Sequence, residues 1–233
     1  VPLKCFDEKG IPRLYRCDRG NEVHQLLISP SKHLYVGHDG RQRYQKKPLD
    51  YNLKNMTKCE KELLVPLLLI DHFSGATYGE IATSRDEITS ILRFLTRAWS
   101  EKTDESYRGE YVFRGMPDML AIPKVLQDAF PEDVREVESA GVRVFNFESG
   151  FQAGAHHRKA FEGEIRSLIR RCNGKAHIDG TRNVASQITL LMSQNHTPEV
   201  LRSPEEMFLC GPKIEVWEKT VRNLRMPPKE WKP

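Results

Sequence analysis

A chain of 233 residues, 39% of them hydrophobic, is long enough for one substantial domain with a modest extension. It contains no run of eighteen apolar residues, so no membrane-spanning helix or membrane partner is expected, and a net charge of +4 permits a polyanionic partner without demanding one. The start at Val1, with Lys4, Asp7 and Glu8 following, reads as an excised fragment without a signal peptide. Five cysteines with no CxxC pair point to a reduced intracellular compartment, a bacterial cytoplasm or a nucleus.

Residues 1–45 carry turn signals at Lys9-Gly10, Arg19-Gly20 and Asp39-Gly40, with short apolar pieces between them such as Gln25 to Ile28 and Leu34 to Val36. This predicts a small β-rich extension with a hairpin turn at Asp39-Gly40. Cys5, Cys17, His24 and His33 match no standard zinc-finger spacing. From Lys47 the pattern becomes regular. It predicts a first strand over Pro48 to Met56, a second over Leu63 to Asp71 and a third over Thr77 to Ala82, with a turn at Ser74-Gly75 and a bulge or edge at Pro66. Ser84 and Glu87 form a capping box ahead of Ile88, Ile91, Leu92, Leu95 and Trp99, which predicts an amphipathic helix.

The fourth strand falls on either Tyr111 to Phe113 or Met119 to Ile122. Pro123 suits the first turn of a helix that Pro131 ends, and Val142 to Phe147 reads as a fifth strand. Three strands, helix, strand, helix, strand, helix is the order of the ribonuclease H-like fold. Three segments carry a more particular likeness: LLVPLLLIDHFSGATYGEIATS (63–84), KAFEGEIRSLIRR (159–171) and SQNHTPEVLRSPEEMF (193–208). Over about residues 45–210 the chain resembles the catalytic core of retroviral-type integrases and DDE transposases.

That resemblance implies an α/β, five-stranded mixed sheet flanked by helices. The first three strands are antiparallel and the last two run parallel to the first. It divides the chain into an extension (1–45), an integrase-like core (46–210) and a C-terminal helix and tail (211–233). It also implies two-metal phosphoryl transfer on DNA, with Mg2+ or Mn2+ held by three carboxylates. In the family these are an aspartate on the first strand, an aspartate at the end of the fourth and a glutamate on the helix after the fifth.

The first position falls on Asp50. Its rival, Asp71, matches a non-catalytic aspartate whose expected task is to bind turn amides. The third falls on Glu162, followed at helical spacing by Ile165 and Leu168 and preceded by a glycine-containing loop, Gly150 to His157, expected to be mobile. Asp50 and Glu162 are expected within about 8 Å of each other as ligands of shared ions. Arg158, Lys159, Arg166 and Arg170 are the residues expected to meet DNA phosphates.

The second position has no evident acid. If Met119 to Ile122 is the strand, the position falls on Pro123; if Tyr111 to Phe113 is, it falls near Gly115. Asp118 is the nearest carboxylate. On the first alignment it lies five residues upstream of Pro123, roughly 16 Å along an extended strand, and it serves only on the second. The expectation is therefore a DNA-binding, integrase-like module, weak or inactive in catalysis alone, working as a homo-oligomer or within a larger transposase assembly. The alternative is an active strand transferase using Asp50, Asp118 and Glu162. Ser203 and Glu206 would frame a further helix start, and no helix-turn-helix or zinc finger for sequence-specific reading is evident.

Overall fold

A computed structural model describes residues 3–6, 12–15, 17–101, 113–147, 162–163, 166, 211–222 and 224–231. At the N-terminus β1 (Leu3–Phe6) and β2 (Pro12–Tyr15) form an antiparallel pair of their own. The main sheet begins with β3 (Val23–Ile28), followed by β4 (Leu34–Val36) and β5 (Gln42–Tyr44). The longest strand is β6 (Glu62–Asp71), and β7 (Thr77–Thr83) returns beside it. Then come α1 (Leu92–Trp99), β8 (Met119–Pro123), α2 (Lys124–Ala129), α3 (Pro131–Ser139), β9 (Arg143–Phe147) and α4 (Gly211–Thr220).

Five strands make the body of the sheet in the order β7-β6-β3-β8-β9. β6 is antiparallel to both β3 and β7, whereas β8 runs parallel to β3 and β9 parallel to β8. This is the expected arrangement, and it defines a ribonuclease H-like fold with β3 as the first strand. The predicted second, third and fifth strands, the Ser74-Gly75 turn and the Asp39-Gly40 hairpin are all formed.

The predicted first strand is not formed. Residues 48–56 are loop, leading into a 3-10 turn at Met56–Lys58. Asn52 and Asn55 hold their own backbone: the amide of Lys54 donates to the Asn52 side chain at 2.9 Å, and the amide of Asn52 to that of Asn55 at 2.7 Å. Such local bonds compete with a sheet ladder, to which Pro48 offers no donor. The central place belongs to Val23–Ile28, so part of the first 45 residues is integral to the sheet.

Beyond the carboxyl end of β3 the chain stays beside β6. The amide of Ser31 donates to the Leu64 carbonyl at 2.7 Å, and β4 then pairs with Glu62 and Leu63. From Ile28 to Tyr35 is seven residues and from their partners Leu67 to Leu63 only four, so a few residues loop out between β3 and β4. Pro66 falls in that gap, unpaired on the β3–β4 side while its register with β7 is unbroken, so of the bulge or edge expected there it is a local edge that forms. The β4–β5 hairpin thus extends the sheet past the end at which β8 stops.

On one face Leu26, Leu67, Leu69 and Ile122 pack with Phe94, Leu95 and Trp99 of α1 and with Leu126 and Val137, all buried. The predicted helix starts later than its capping box. Ser84 instead accepts from the amide of Leu63 at 2.9 Å, while Asp133 of α3 accepts from Ser90 Oγ and from the amides of Ile91 and Leu92 at 2.8, 2.6 and 3.1 Å. A carboxylate from another helix therefore caps α1, satisfying amides that a helix start leaves unbonded. On the opposite face Val23, Met119 and Ala121 form a smaller apolar cluster with Leu27 and Phe145.

Candidate functional site

Alternation along β3 and β8 sets which side chains share a face. Val23 pairs with Met119 and Gln25 with Ala121, where the ladder ends; extended by two residues, the same register would set Leu27 level with Pro123. This is the carboxyl end of the parallel strands, where the resemblance implies an aspartate from the first strand and another from the end of the fourth. Neither VHQLLI nor MLAIP contains an acid. Gln25, on the same face as Leu27, is 1% exposed, and among the described residues neither atom of its amide has a hydrogen-bond partner.

The structure selects Met119–Pro123 as the fourth strand, which puts the second position implied by the resemblance on Pro123 rather than Gly115. Gly115 has a different task. Its φ of 87° is left-handed, its amide donates to the Trp99 carbonyl at 2.8 Å, and an added Cβ would come 2.9 Å from Asn21 Nδ2.

Asp118 precedes β8 and lies at the amino end of the strand, opposite to Pro123. It is half-exposed and ion-paired with Arg19, its amide donates to the Asn21 carbonyl at 3.1 Å, and its own carbonyl accepts from Arg143 at 3.1 Å. The loop geometry required to carry it to the carboxyl end is not present. Asp50 is fully exposed in the loop after β5, 3.6 Å from Lys32. Residues 162, 163 and 166 are helical, as expected around Glu162, and the Arg166 guanidinium lies 4.0 Å from the ring centroid of Tyr44. Arg158, Lys159, Arg170, the loop 150–157 and the segment 193–208 lie outside the described residues.

The metal ions implied by the resemblance do not fit this donor set. Leucine and proline offer no oxygen from their side chains, and among the described residues no group of three His, Cys, Asp or Glu is placed to hold an ion.

The amino end of the same strands is polar and closely bonded. Asn21, at φ 58°, is a left-handed residue in the turn before β3. Its amide donates to Asp71 Oδ1 at 2.8 Å and its Nδ2 to the Arg114 carbonyl at 2.8 Å. Its Oδ1 accepts from Trp217 Nε1 at 2.7 Å and meets His24 Nε2 at 3.0 Å. Trp99 Nε1 donates to His24 Nδ1 at 3.1 Å, which fixes the imidazole as the neutral tautomer with its proton on Nε2.

Asp71 is fully buried and binds the turn after β6, as expected, accepting from the Ser74 amide at 2.8 Å and from Ser74 Oγ at 2.6 Å. Burial pushes its pKa up to about 6, against the opposing pull of the Ser74 and Asn21 hydrogen bonds. Burial, with Glu22, Asp71 and Asp18 nearby, pushes the Cys17 thiol up to about 12 and leaves it a poor nucleophile. Sequence reasoning missed the network around Asn21, because its partners are distant in the chain and no motif marks them.

The fold class is therefore ribonuclease H-like, fixed by strand order and direction. Among solved structures of that class the chain is similar to retroviral integrase cores. The HTLV-2 integrase catalytic core domain in complex with magnesium, in its dimeric form, is 13% identical with a TM-score of 0.45, covering 79% of this chain and 94% of that one. Its trimeric form is 12% identical with a TM-score of 0.44, covering 84% and 100%. A simian T-cell lymphotropic virus intasome in complex with PP2A regulatory subunit B56 gamma is 13% identical with a TM-score of 0.46, covering 94% and 62%. No protein-family model matches the sequence, and no curated protein is similar to it.

Proposed function

We propose that this chain is an integrase-like core domain associated with DNA integration or transposition, which binds DNA and is weak or inactive in catalysis by itself. The observation that carries this reading is that neither Val23–Ile28 nor Met119–Pro123 contains an acid, with Pro123 closing the fourth strand where the resemblance implies a metal-binding aspartate. Of the acids that the resemblance needs, Glu162 keeps its place on a helix while Asp50 lies exposed in the loop after β5, and fewer than three ligands bind a divalent ion far more weakly. DNA contact needs no metal. Arg158, Lys159, Arg166 and Arg170 supply charge for the phosphate backbone, and an assembly of several copies, or a larger transposase complex, would supply any catalytic site.

The test is binding to a labelled DNA duplex followed by fluorescence anisotropy, with and without EDTA. Binding that weakens with salt and ignores EDTA supports the reading. Binding that requires Mg2+ and is followed by nicking of the duplex overturns it.

A further inference from the structure

The ribonuclease H-like order needs only a tight turn between its first two strands, yet here residues 29–61 intervene between β3 and β6. The inserted segment is strongly basic. Residues 32–61 hold eight Lys or Arg against three Asp or Glu, a surplus of five in a chain whose whole net charge is +4. The remaining residues together are close to neutral, so the positive charge of the protein is concentrated in this insertion.

The way these cations are held matters as much as their number. Lys61 Nζ sits 4.3 Å from the Tyr35 ring centroid, whereas Arg43, opposite Tyr35 on β5, is ion-paired with Asp39 at 2.9 Å. Tyr44 is stacked on His33 with centroids 5.7 Å apart and lies against the Arg166 guanidinium. An aromatic face orients a cation without neutralising it, unlike a carboxylate partner. Lys46, Lys47, Lys54 and Lys58 are exposed, and among the described residues none of them is paired with a carboxylate.

Position adds a second argument. The hairpin lies beyond the carboxyl ends of β3 and β8, and Arg166 contacts it through Tyr44. The insertion therefore borders the helix that the resemblance turns toward DNA. We infer that the β4–β5 hairpin and the loop after it form a second surface for the phosphate backbone of duplex DNA, continuous with the helix that carries Arg166 and indifferent to base sequence. This inference rests on the DNA-binding reading above and extends it to residues that the resemblance does not assign.

The experiment compares three full-length proteins on a short labelled duplex of arbitrary sequence, in EDTA, between about 50 and 200 mM salt. They are the wild type, a variant with Lys46, Lys47, Lys54 and Lys58 changed to Ala, and a variant with Arg158, Lys159 and Arg170 changed to Ala. Each phosphate contact removed should lower the slope of log affinity against log salt by about 1, so the lysine variant should lose about 4 and bind at least about tenfold more weakly. Circular dichroism melting of the lysine variant should match the wild type, because all four side chains are exposed. An unchanged slope in the lysine variant, with binding lost in the arginine variant, overturns the inference and leaves the DNA-binding reading standing. A wild type that does not bind duplex DNA at all overturns both.

Discussion

The two ends of the parallel strands β3, β8 and β9 differ in kind. At the amino end Asn21, His24, Asp71, Trp99 and Trp217 bond to one another in a buried cluster that ties the C-terminal helix to the first strand. At the carboxyl end, where the resemblance implies chemistry, the strands finish in apolar residues, Leu27 and Ile28 on one and Ile122 and Pro123 on the other, with the amide of Gln25 unbonded among the described residues. Polar groups held in a fixed, desolvated arrangement are what a catalytic centre requires. This chain has such an arrangement at the end that joins its elements, so its buried polarity serves architecture.

The largest effect should come from the amino end. Trp217→Ala removes a fully buried indole and the hydrogen bond to Asn21, and should cost about 3–5 kcal/mol of unfolding free energy, read by denaturant titration. An equal loss on truncating Leu27 to Ala would erase the contrast between the ends, because Leu27 is only partly buried.

Asp71 sharpens the same contrast through pH. Its carboxyl titrates at about 6 in the folded protein against an ordinary 3.8, so its contribution to stability is fully present below about pH 4 and is lost as pH rises through 6. Two pH units of such displacement correspond to about 3 kcal/mol. Stability measured from pH 4 to 7 should therefore fall in the wild type relative to Asp71→Asn, whatever the offset between the two at pH 4. Parallel curves would remove the burial argument.

The smallest effect belongs to the carboxyl end and has the opposite sign. Gln25→Met replaces an unbonded buried amide by an apolar side chain of similar length, and should raise the unfolding free energy by about 1 kcal/mol. A loss of more than that would mean the amide is bonded in solution and that this end, too, is polar by design.

Much of the sheet was legible in the sequence because its signals are local. The apolar run of β6, the Ser74-Gly75 turn and the alternation of β9 each announce themselves within a few residues. The first strand was misplaced for an equally physical reason. Val23–Ile28 is buried on both sides except at Leu27, so it shows no alternation and looks like any short apolar piece, while 48–56 sits at the expected distance before β6. Only the long-range pairing of Leu26 with Leu69, and the insertion that separates them, decides between the two.

The absence of an acid at the end of the fourth strand was visible from sequence as a choice between Pro123 and Gly115. The structure makes Met119–Pro123 the fourth strand and Val23–Ile28 the first, which no local motif marked because the insertion hides which strand comes first. The Asn21 network was invisible for the same reason: its partners Asp71, Arg114 and Trp217 lie tens of residues away or more.

Strand transfer and nicking on linear duplex DNA, with Mg2+ or Mn2+ supplied, tests the central claim most directly when the wild type is compared with Glu162→Gln and Asp118→Asn. On the proposed reading, with no acid on Val23–Ile28 or Met119–Pro123, the wild type should cleave no faster than either variant, and all three no faster than the metal-containing buffer. Robust metal-dependent cleavage by the wild type, abolished by Glu162→Gln, would contradict the account, and its loss in Asp118→Asn as well would make Asp118 a ligand despite its place at the far end of β8.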